Sequence, residues 1–247
     1  MVPGSQRLVR RVRAVSAVVV LTAALATVAG ASAANLGGLR GGSFKALQFA
    51  ATNPAPAVLR CDDFTKAAST GRNLDGRPVQ LPATCGTALW KVDAGNWRIN
   101  GGLLDPGGGF ALASVPVGVT NMSVQANLIN ANGGSRIGGV TASVSANGRT
   151  YLVATISATN QVQLRYVVNG VSTTLATVTT PISADVVMRL TRNGTAANVI
   201  IGTTIVLTYT LSSAQSTTLN AGTRAGMYWD AGSPVRFSNF LVTTPSP

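Results

Sequence analysis

Apolar and polar side chains alternate with a period of two residues over three long stretches of the chain. The apolar positions are Met122, Val124, Ala126 and Leu128 in the first stretch, Val162, Leu164, Tyr166 and Val168 in the second, and Ile205, Leu207, Tyr209 and Leu211 in the third. Successive side chains of a strand point to opposite faces of its sheet, so each pattern predicts a strand with one covered and one wetter face. Strands of this kind are typical of antiparallel sheets.

Four Asn-Gly pairs separate the candidate strands. They begin at Asn132, Asn147, Asn169 and Asn193. Asn-Gly is the preferred pair for a type I′ hairpin, because both central residues of that turn need a positive φ. The pairs therefore predict a meander of hairpins. After residue 34 no helical period of ten or more residues occurs, and residues 212–219 could form at most a short helix.

The stretch at residues 223–243 carries a change of phase that organises this interpretation. Val235 and Phe237 share one face of a strand, whereas Phe240 and Val242 follow the opposite phase. A shift of one residue predicts a bulge, or a strand with both faces covered. The proposed partner is the segment that starts with Asp62, so we expect residues 62–65 to pair antiparallel with part of residues 235–242.

The N-terminal residues have the pattern of an export signal. Four arginines precede an apolar run at residues 14–29, and small residues end at Ala33. A helix over this run would be about 24 Å long, shorter than the ~30 Å hydrocarbon core of a bilayer. We predict a signal-peptide helix at 1–33 and a secreted or cell-surface protein without membrane contact after cleavage. An uncleaved anchor stays an alternative.

The remaining chain divides by composition. Residues 34–60 are rich in Gly, Ala and Pro and are predicted to be a linker, residues 61–244 are predicted to be the folded domain, and residues 245–247 are a tail. Cys61 and Cys85 are the only cysteines. In an exported protein, two cysteines at this spacing predict a disulfide bond.

The composition also excludes classes of function. The chain has 19 Lys or Arg against 7 acidic residues, all of them Asp, and it has no His. The commonest general acid or base and the commonest metal ligand are therefore missing. After the leader no run of basic residues remains, so we expect no nucleic-acid partner.

Several segments together resemble the concanavalin A-like lectin/glucanase superfamily, especially LamG-like jelly-roll domains of secreted bacterial proteins. The resembling segments are residues 62–64, 89–92, 95–99, 137–140, 151–153, 222–226 and 237–242. The resemblance implies an all-β fold, an antiparallel two-sheet β-sandwich of the jelly-roll kind with adjacent first and last strands. Glycosidases of this superfamily carry paired Glu residues, and this chain has none. The expected function is a non-catalytic lectin-like module that binds a polysaccharide or cell-wall glycan.

The candidate ligand-binding residues are aromatic or polar side chains on predicted strands and loops: Trp229, Tyr151, Gln163, Arg165, Gln125 and Asn127. Trp229 is placed at a loop tip as a stacking platform for a sugar ring, and anchoring of its own loop is the alternative. With few charges available, we expect recognition by stacking and neutral hydrogen bonds. Asp62 and Asp63 are weak calcium candidates, and no other cofactor is expected.

Two further interpretations remain open. The protein could be a structural or adhesive component of the cell envelope, with residues 34–60 as a spacer. It could also be a hydrolase whose Asp residues are brought together only by folding. The sequence does not indicate an oligomeric state.

Overall fold

Strands form nearly all of the regular structure in the computed structural model, which describes residues 55–64, 72–79, 85–131, 137–157, 160–230 and 232–246. The predicted signal peptide, most of the predicted linker and the Asn132-Gly133 pair lie outside these residues. Within them the strands are β1 (Val58–Asp62), β2 (Arg72–Asn73), β3 (Lys91–Asn100), β4 (Leu103–Pro116), β5 (Met122–Ile129), β6 (Gly138–Val144), β7 (Tyr151–Ile156), β8 (Gln161–Val168), β9 (Val171–Thr179), β10 (Val186–Asn193), β11 (Ala196–Ile201), β12 (Thr204–Thr210), β13 (Arg224–Trp229) and β14 (Arg236–Thr243). One helix, α1 (Ser213–Leu219), follows β12. No helix in the described ranges is long and apolar enough to span a membrane.

The strands form two packed layers. Sheet 1 has the order β12-β11-β10-β5-β14, with β1 on the other side of β14. Sheet 2 has the order β4-β13-β6-β7-β8-β9, with β3 and β2 beside β4. A single residue pair, Phe237 with Leu104, joins β14 to β4. Unpaired strands of the two sheets contact each other, for example β10 with β6 and β12 with β9. The prediction of an antiparallel β-sandwich is confirmed.

The main core lies between the two sheets and contains the apolar residues that alternate along the strands. In β5 the side chains of Met122, Val124, Ala126 and Leu128 are fully buried. Val162 and Leu164 of β8 lie in the same core, and Tyr166 packs against it. The prediction fails at Ile205, which is 58% exposed. Strand β12 is the last strand of its sheet, and the register shift opposite Val199 and Ile200 changes its alternation.

The Asn-Gly pairs take different turn geometries. Asn169 and Gly170 have φ of 51° and 85° and join Val168 to Val171, as expected for a two-residue hairpin. The pair at Asn193 differs, because Asn193 ends β10 and pairs with Ala196. Only Gly194 of that pair has a positive φ. Both hairpins were therefore predicted correctly, but the turn of the second one lies one residue later than its Asn-Gly pair indicated.

The change of phase in β14 is a β-bulge at Asn239. The register with β5 shifts between Ser238 and Leu241, and Asn239 has a φ of 50°. Val235, Phe237, Phe240 and Val242 are all buried in the main core. The bulge therefore turns the apolar side chains on both of its sides toward the same core. Of the two explanations drawn from the sequence, a bulge is the one that the structure shows.

Strand β14 also pairs with the start of the domain. Asp62 lies opposite Phe240 and Cys61 opposite Leu241, in antiparallel register. This pairing confirms the expected partner at Asp62 only, because β1 ends there and Asp63 and Phe64 lie beyond it. The pairing runs back to Val58 instead, and Thr65 lies outside the described residues. Strand β1 thus includes residues 58–60, which the sequence placed in the linker. The disulfide between Cys61 and Cys85 is present, with Cα atoms 5.1 Å apart.

Helix α1 closes one end of the sandwich. Ser212 caps its first turn, and the side chain of Gln215 accepts a hydrogen bond from the Ser212 backbone N–H, forming a capping box. The fully buried guanidinium of Arg192 lies under the helix and donates hydrogen bonds to Ser216 O at 3.0 Å and to Asn220 Oδ1 at 2.6 Å. The short helix therefore docks on the sandwich through a buried arginine.

Candidate functional site

The structure places the six predicted ligand-binding residues in three different locations. Trp229 is on the core side of β13 and is 5% exposed. Its Nε1 donates a 2.9 Å hydrogen bond to the carbonyl of Ser233, which anchors the following loop. The prediction of Trp229 as an exposed stacking platform is wrong, because Ala225, Met227 and Trp229 share the inner face of β13.

Gln125 and Asn127 lie on the outer face of sheet 1. Gln125 lines a groove of about 300 Å³ together with Ser123, Arg189, Thr191, Asn198 and Thr243, which we call the threonine groove. Its Oε1 accepts a hydrogen bond from Arg189 Nε at 3.2 Å. These two predicted residues are therefore on the opposite outer face of the sandwich from the remaining three.

Tyr151, Gln163 and Arg165 lie on the outer face of sheet 2. Tyr151 and Arg165 line a second groove, of about 370 Å³, whose other main residues are Phe110, Arg149, Tyr228 and Asp230. We call it the tyrosine groove. Gln163 is two residues from Arg165 along β8 and donates to Gln161 Oε1 at 3.4 Å. Folding thus brings two of the six predicted residues into one groove.

Aromatic side chains form the apolar part of the tyrosine groove. Tyr151 and Tyr228 belong to a second buried cluster with Leu112, Val144, Val153 and Val167 on the outer face of sheet 2. The ring of Tyr228 lies 5.3 Å from that of Phe110 and 6.5 Å from that of Tyr151, measured between centroids. Phe110 is 39% exposed. The groove therefore has a firmly packed aromatic base and one accessible ring.

Arg165 connects the polar part of the groove to this aromatic base. Its Nε donates a hydrogen bond to Ser172 Oγ at 2.9 Å, and its Nη1 approaches Tyr228 Oη at 3.5 Å. The guanidinium carbon lies 5.8 Å from the centre of the Tyr228 ring, within the range of a cation–π interaction. These three contacts fix a side chain that could otherwise sample many rotamers.

The two tyrosine hydroxyls remain protonated at neutral pH. Burial raises the pKa of Tyr151 above its usual value, and the nearby Tyr228 adds to this effect. Burial also raises the pKa of Tyr228, an effect that the charge of Arg165 opposes and that of Asp230 reinforces. Both hydroxyls are therefore neutral hydrogen-bonding groups.

Two aspartates line the tyrosine groove, which bears on the hydrolase alternative. The carboxylate of Asp93 is buried and forms ion pairs with Arg224 at 3.0 Å and Lys91 at 3.3 Å, and it accepts a hydrogen bond from Ser114. Asp230 interacts with the hydroxyl of Tyr228. The carboxylate of Asp93 is therefore held in place by two cations of the fold.

Asp62, a weak calcium candidate, has a different role. Its carboxylate is fully buried and accepts hydrogen bonds from Arg77 at 2.6 Å, from Trp90 at 2.8 Å and from the backbone N–H of Phe64 at 2.9 Å. A guanidinium, an indole N–H and a backbone N–H thus occupy the carboxylate that the sequence offered as a weak calcium candidate. The described residues contain no group of three or more His, Cys, Asp or Glu side chains that could hold a metal ion, so Asp63 belongs to no such group.

Sequence reasoning missed Phe110, Tyr228, Arg149 and Asp230. Phe110 follows Gly107-Gly108-Gly109, and an aromatic residue after a glycine run was a usable signal for an exposed ring. Tyr228 and Asp230 lie on either side of Trp229, so the segment was recognised but its inner and outer faces were exchanged. Arg149 is in a turn far from these residues in the sequence, and only folding places it in the groove.

Comparison with known proteins gives a fold and no family. No family model and no curated protein matches this chain. Among solved structures, the carbohydrate binding module CBM66 from Bacillus subtilis is similar with a TM-score of 0.52 and 16% identity, over 63% of this chain and 95% of that chain. A protein of unknown function with a galectin-like fold, also from Bacillus subtilis, has a TM-score of 0.51 and 11% identity, over 72% and 98%.

A third solved structure is also similar. The GH43 protein BlXynB from Bacillus licheniformis has a TM-score of 0.50 and 11% identity, over 75% of this chain but only 39% of that chain. At such low identities these likenesses describe the fold alone. The protein has a lectin-type jelly-roll β-sandwich, consistent with the concanavalin A-like architecture that the sequence resembles.

Proposed function

We propose that this protein is a secreted, non-catalytic carbohydrate-binding module that holds its ligand in the tyrosine groove. The observation that carries the proposal is the exposed ring of Phe110, packed against Tyr228 at the edge of a groove with polar groups. A sugar ring has an apolar C–H face that an exposed aromatic ring can cover. Its hydroxyls need polar partners once water is displaced, and Arg165, Ser172 and Asp230 supply them.

The architecture supports the same conclusion. Solved structures of similar fold include a carbohydrate binding module, which is similar over almost its whole length. The tyrosine groove is preorganised, because Tyr151 and Tyr228 are buried and Arg165 is held by two hydroxyls. A preorganised site binds without a large loss of side-chain entropy.

A glycan array tests this proposal with three forms of the protein. The wild type should bind at least one glycan, and Phe110→Ala should weaken that binding at least tenfold, about 1.4 kcal/mol. The matched control is Ile205→Ala, which removes an exposed apolar side chain from the edge strand β12. It should bind as the wild type does. Binding by wild type and Phe110→Ala with equal affinity would contradict the proposed site.

The extracellular location rests on the export signal at residues 1–33 and on the disulfide between Cys61 and Cys85. Disulfides persist in oxidising compartments. N-terminal sequencing of protein recovered from the culture medium tests the location, and the expected first residue is Ala34. Protein found only inside the cell, with residues 1–33 intact, would contradict it.

A further inference from the structure

The arginines of the tyrosine groove differ from other well-placed arginines of the chain in what they contact. Arg77, Arg224 and Arg236 each pair with an aspartate. Arg149 and Arg165 pair with no acidic side chain among the described residues. Arg165 donates to the hydroxyls of Ser172 and Tyr228. Arg149 donates to the carbonyl of Asn169 at 3.3 Å. Among the described residues, no ion pair neutralises either of these two guanidinium groups.

The two arginines lie at the same end of one hairpin. Arg149 Nη2 approaches the turn between β8 and β9, because it bonds to Asn169 and lies beside Gly170. Arg165 bonds to Ser172, two residues further along the chain. Both guanidinium groups also line the same groove. A planar carboxylate can accept paired hydrogen bonds from a guanidinium group, so a carboxylate in this groove has two candidate donors.

The aspartates of the groove do not cancel this charge. Asp93 is 1% exposed and is already paired with both Arg224 and Lys91. Asp230 interacts with the hydroxyl of Tyr228. When Asp230 is counted, the groove still has only this one further carboxylate for the two arginines Arg149 and Arg165. The groove therefore has a net positive lining beside an exposed aromatic ring.

We propose that the tyrosine groove selects an acidic sugar, with the carboxylate of the ligand between Arg149 and Arg165 and the sugar ring against Phe110. The proposal rests on the proposed function and adds the class of ligand. It differs from the expectation of neutral recognition drawn from the sequence, because the two arginines are 16 positions apart in the chain and converge only on folding. A carboxylate that bonds to Arg165 replaces water on a side chain that the protein already holds in place.

The test compares acidic polysaccharides with their carboxyl-reduced forms, which have the same linkages but no charge. Polygalacturonate, alginate and hyaluronate, each with its reduced partner, are titrated into the full-length chain by calorimetry. At least one acidic polymer should bind at least tenfold more tightly than its reduced form. Arg165→Gln and Arg149→Gln should each remove most of that difference. The ratio of the affinities for the acidic polymer and its reduced form should also decrease when the salt concentration is raised from about 0.05 M to about 0.5 M, because screening increases.

The matched control separates a specific site from general attraction to a basic protein. Arg189→Gln removes one positive charge from the threonine groove, on the other face of the sandwich. It should leave the acidic preference unchanged. An equal loss in Arg189→Gln, or binding of dextran sulfate with the same affinity as the best acidic polymer, would overturn the proposal by showing that net charge is sufficient.

The outcomes also separate this inference from the proposed function. Equal binding of acidic and reduced forms, or binding of neutral glycans alone, overturns the acidic preference and leaves the carbohydrate-binding function standing. The absence of binding to every one of these polymers and to the whole glycan array overturns both.

Discussion

The indole Nε1 of Trp90 donates a 2.8 Å hydrogen bond to Oδ2 of Asp62, where β1 meets the last strand of the domain. The same carboxylate is paired with Arg77, and Trp90 packs against Phe240 at 4.9 Å between ring centroids. One buried carboxylate thus joins the start of the domain, the segment around Trp90 and the bulged strand β14. The segments at residues 62–64, 89–92 and 237–242 are far apart in the sequence and therefore meet around one carboxylate in the fold.

Replacing Asp62 should destabilise the domain strongly. In Asp62→Asn the buried guanidinium of Arg77 loses its counter-charge, so we expect a loss of about 3–5 kcal/mol in the free energy of unfolding. Urea unfolding followed by tryptophan fluorescence measures it. The control is Asp105→Asn, whose ion pair with Arg236 is 3.5 Å long and substantially exposed. It should cost about 1 kcal/mol or less. Similar losses in both variants would contradict the assigned role of Asp62.

The sequence predicted the sandwich because its information is local and repeated. Period-two alternation in β5 and β8 and the hairpin at Asn169-Gly170 each require only neighbouring residues. The bulge in β14 was also readable, since Val235 and Phe237 differ in phase from Phe240 and Val242. The exposure of Ile205 could not be predicted in this way, because it follows from the register shift between the edge strand β12 and β11.

The site could be predicted only in part, because a groove depends on which face of each sheet a side chain occupies. Alternation shows that Gln125 and Arg165 lie on wetter faces, but it does not show that these faces belong to different sheets. Trp229 was misplaced for the same reason. Its neighbours Tyr228 and Asp230 line the groove, and a shift of one residue exchanges the inner and outer faces.

Deleting Asn239 tests the origin of the bulge. Without this residue Phe237, Phe240 and Val242 would follow one uninterrupted period of two, so all three side chains would still face the main core. The deletion should therefore cost less than the loss of these side chains from the core, which would be about 1.5–3 kcal/mol for each one. Urea unfolding and circular dichroism measure the effect. Asn239→Gly keeps the bulge and tolerates its positive φ, so it should change stability by less than about 1 kcal/mol. A deletion variant that loses about 3 kcal/mol or more, or that fails to fold, would contradict the bulge explanation.

Arg192 should be needed for docking of helix α1. Burial lowers the pKa of its guanidinium, which reflects the cost of a charge taken out of water. Its hydrogen bonds to Ser143, Ser216 and Asn220 oppose that cost. In Arg192→Met these buried acceptors lose their donor at about 1–3 kcal/mol for each one left unpaired, so we expect a loss of roughly 2–4 kcal/mol.

A second variant on the same strand supplies the comparison. Arg189→Met changes the same residue type on the outer face of β10, and it should alter stability by about 0.5 kcal/mol or less. Amide hydrogen exchange in α1 should increase in Arg192→Met and stay unchanged in Arg189→Met. If Arg192→Met were more stable than the wild type, the free-energy cost of desolvating the guanidinium would be larger than the stabilisation from its hydrogen bonds.

The tyrosine cluster should make the domain sensitive to alkaline pH. The pKa of Tyr151 is raised in the folded state, so the folded chain keeps this proton at a pH where the unfolded chain, with a pKa of about 10, has lost it. The contribution is fully present below pH ~10 and is lost as the pH rises further, because the unfolded state then binds fewer protons. Tyr151→Phe should reduce the decline in stability above pH ~10. Tyr209→Phe, on the edge strand β12, supplies the same substitution outside the tyrosine groove as a control. The measurement is the urea midpoint as a function of pH.

Trp229→Ala should act on stability first, in contrast to the role predicted from the sequence. The side chain is buried in the main core and its Nε1 bonds to Ser233. Truncating a buried Trp costs about 3–5 kcal/mol, so urea unfolding should reveal a large loss. Trp229→Phe keeps most of the apolar volume and loses the hydrogen bond, and it should cost less than the alanine variant.

Phe110→Ala should show the reverse pattern, with stability nearly unchanged because the ring is 39% exposed, and with glycan binding weakened at least tenfold. A Trp229→Ala protein that is as stable as the wild type but fails to bind glycan would return the binding site to Trp229 and remove it from the tyrosine groove.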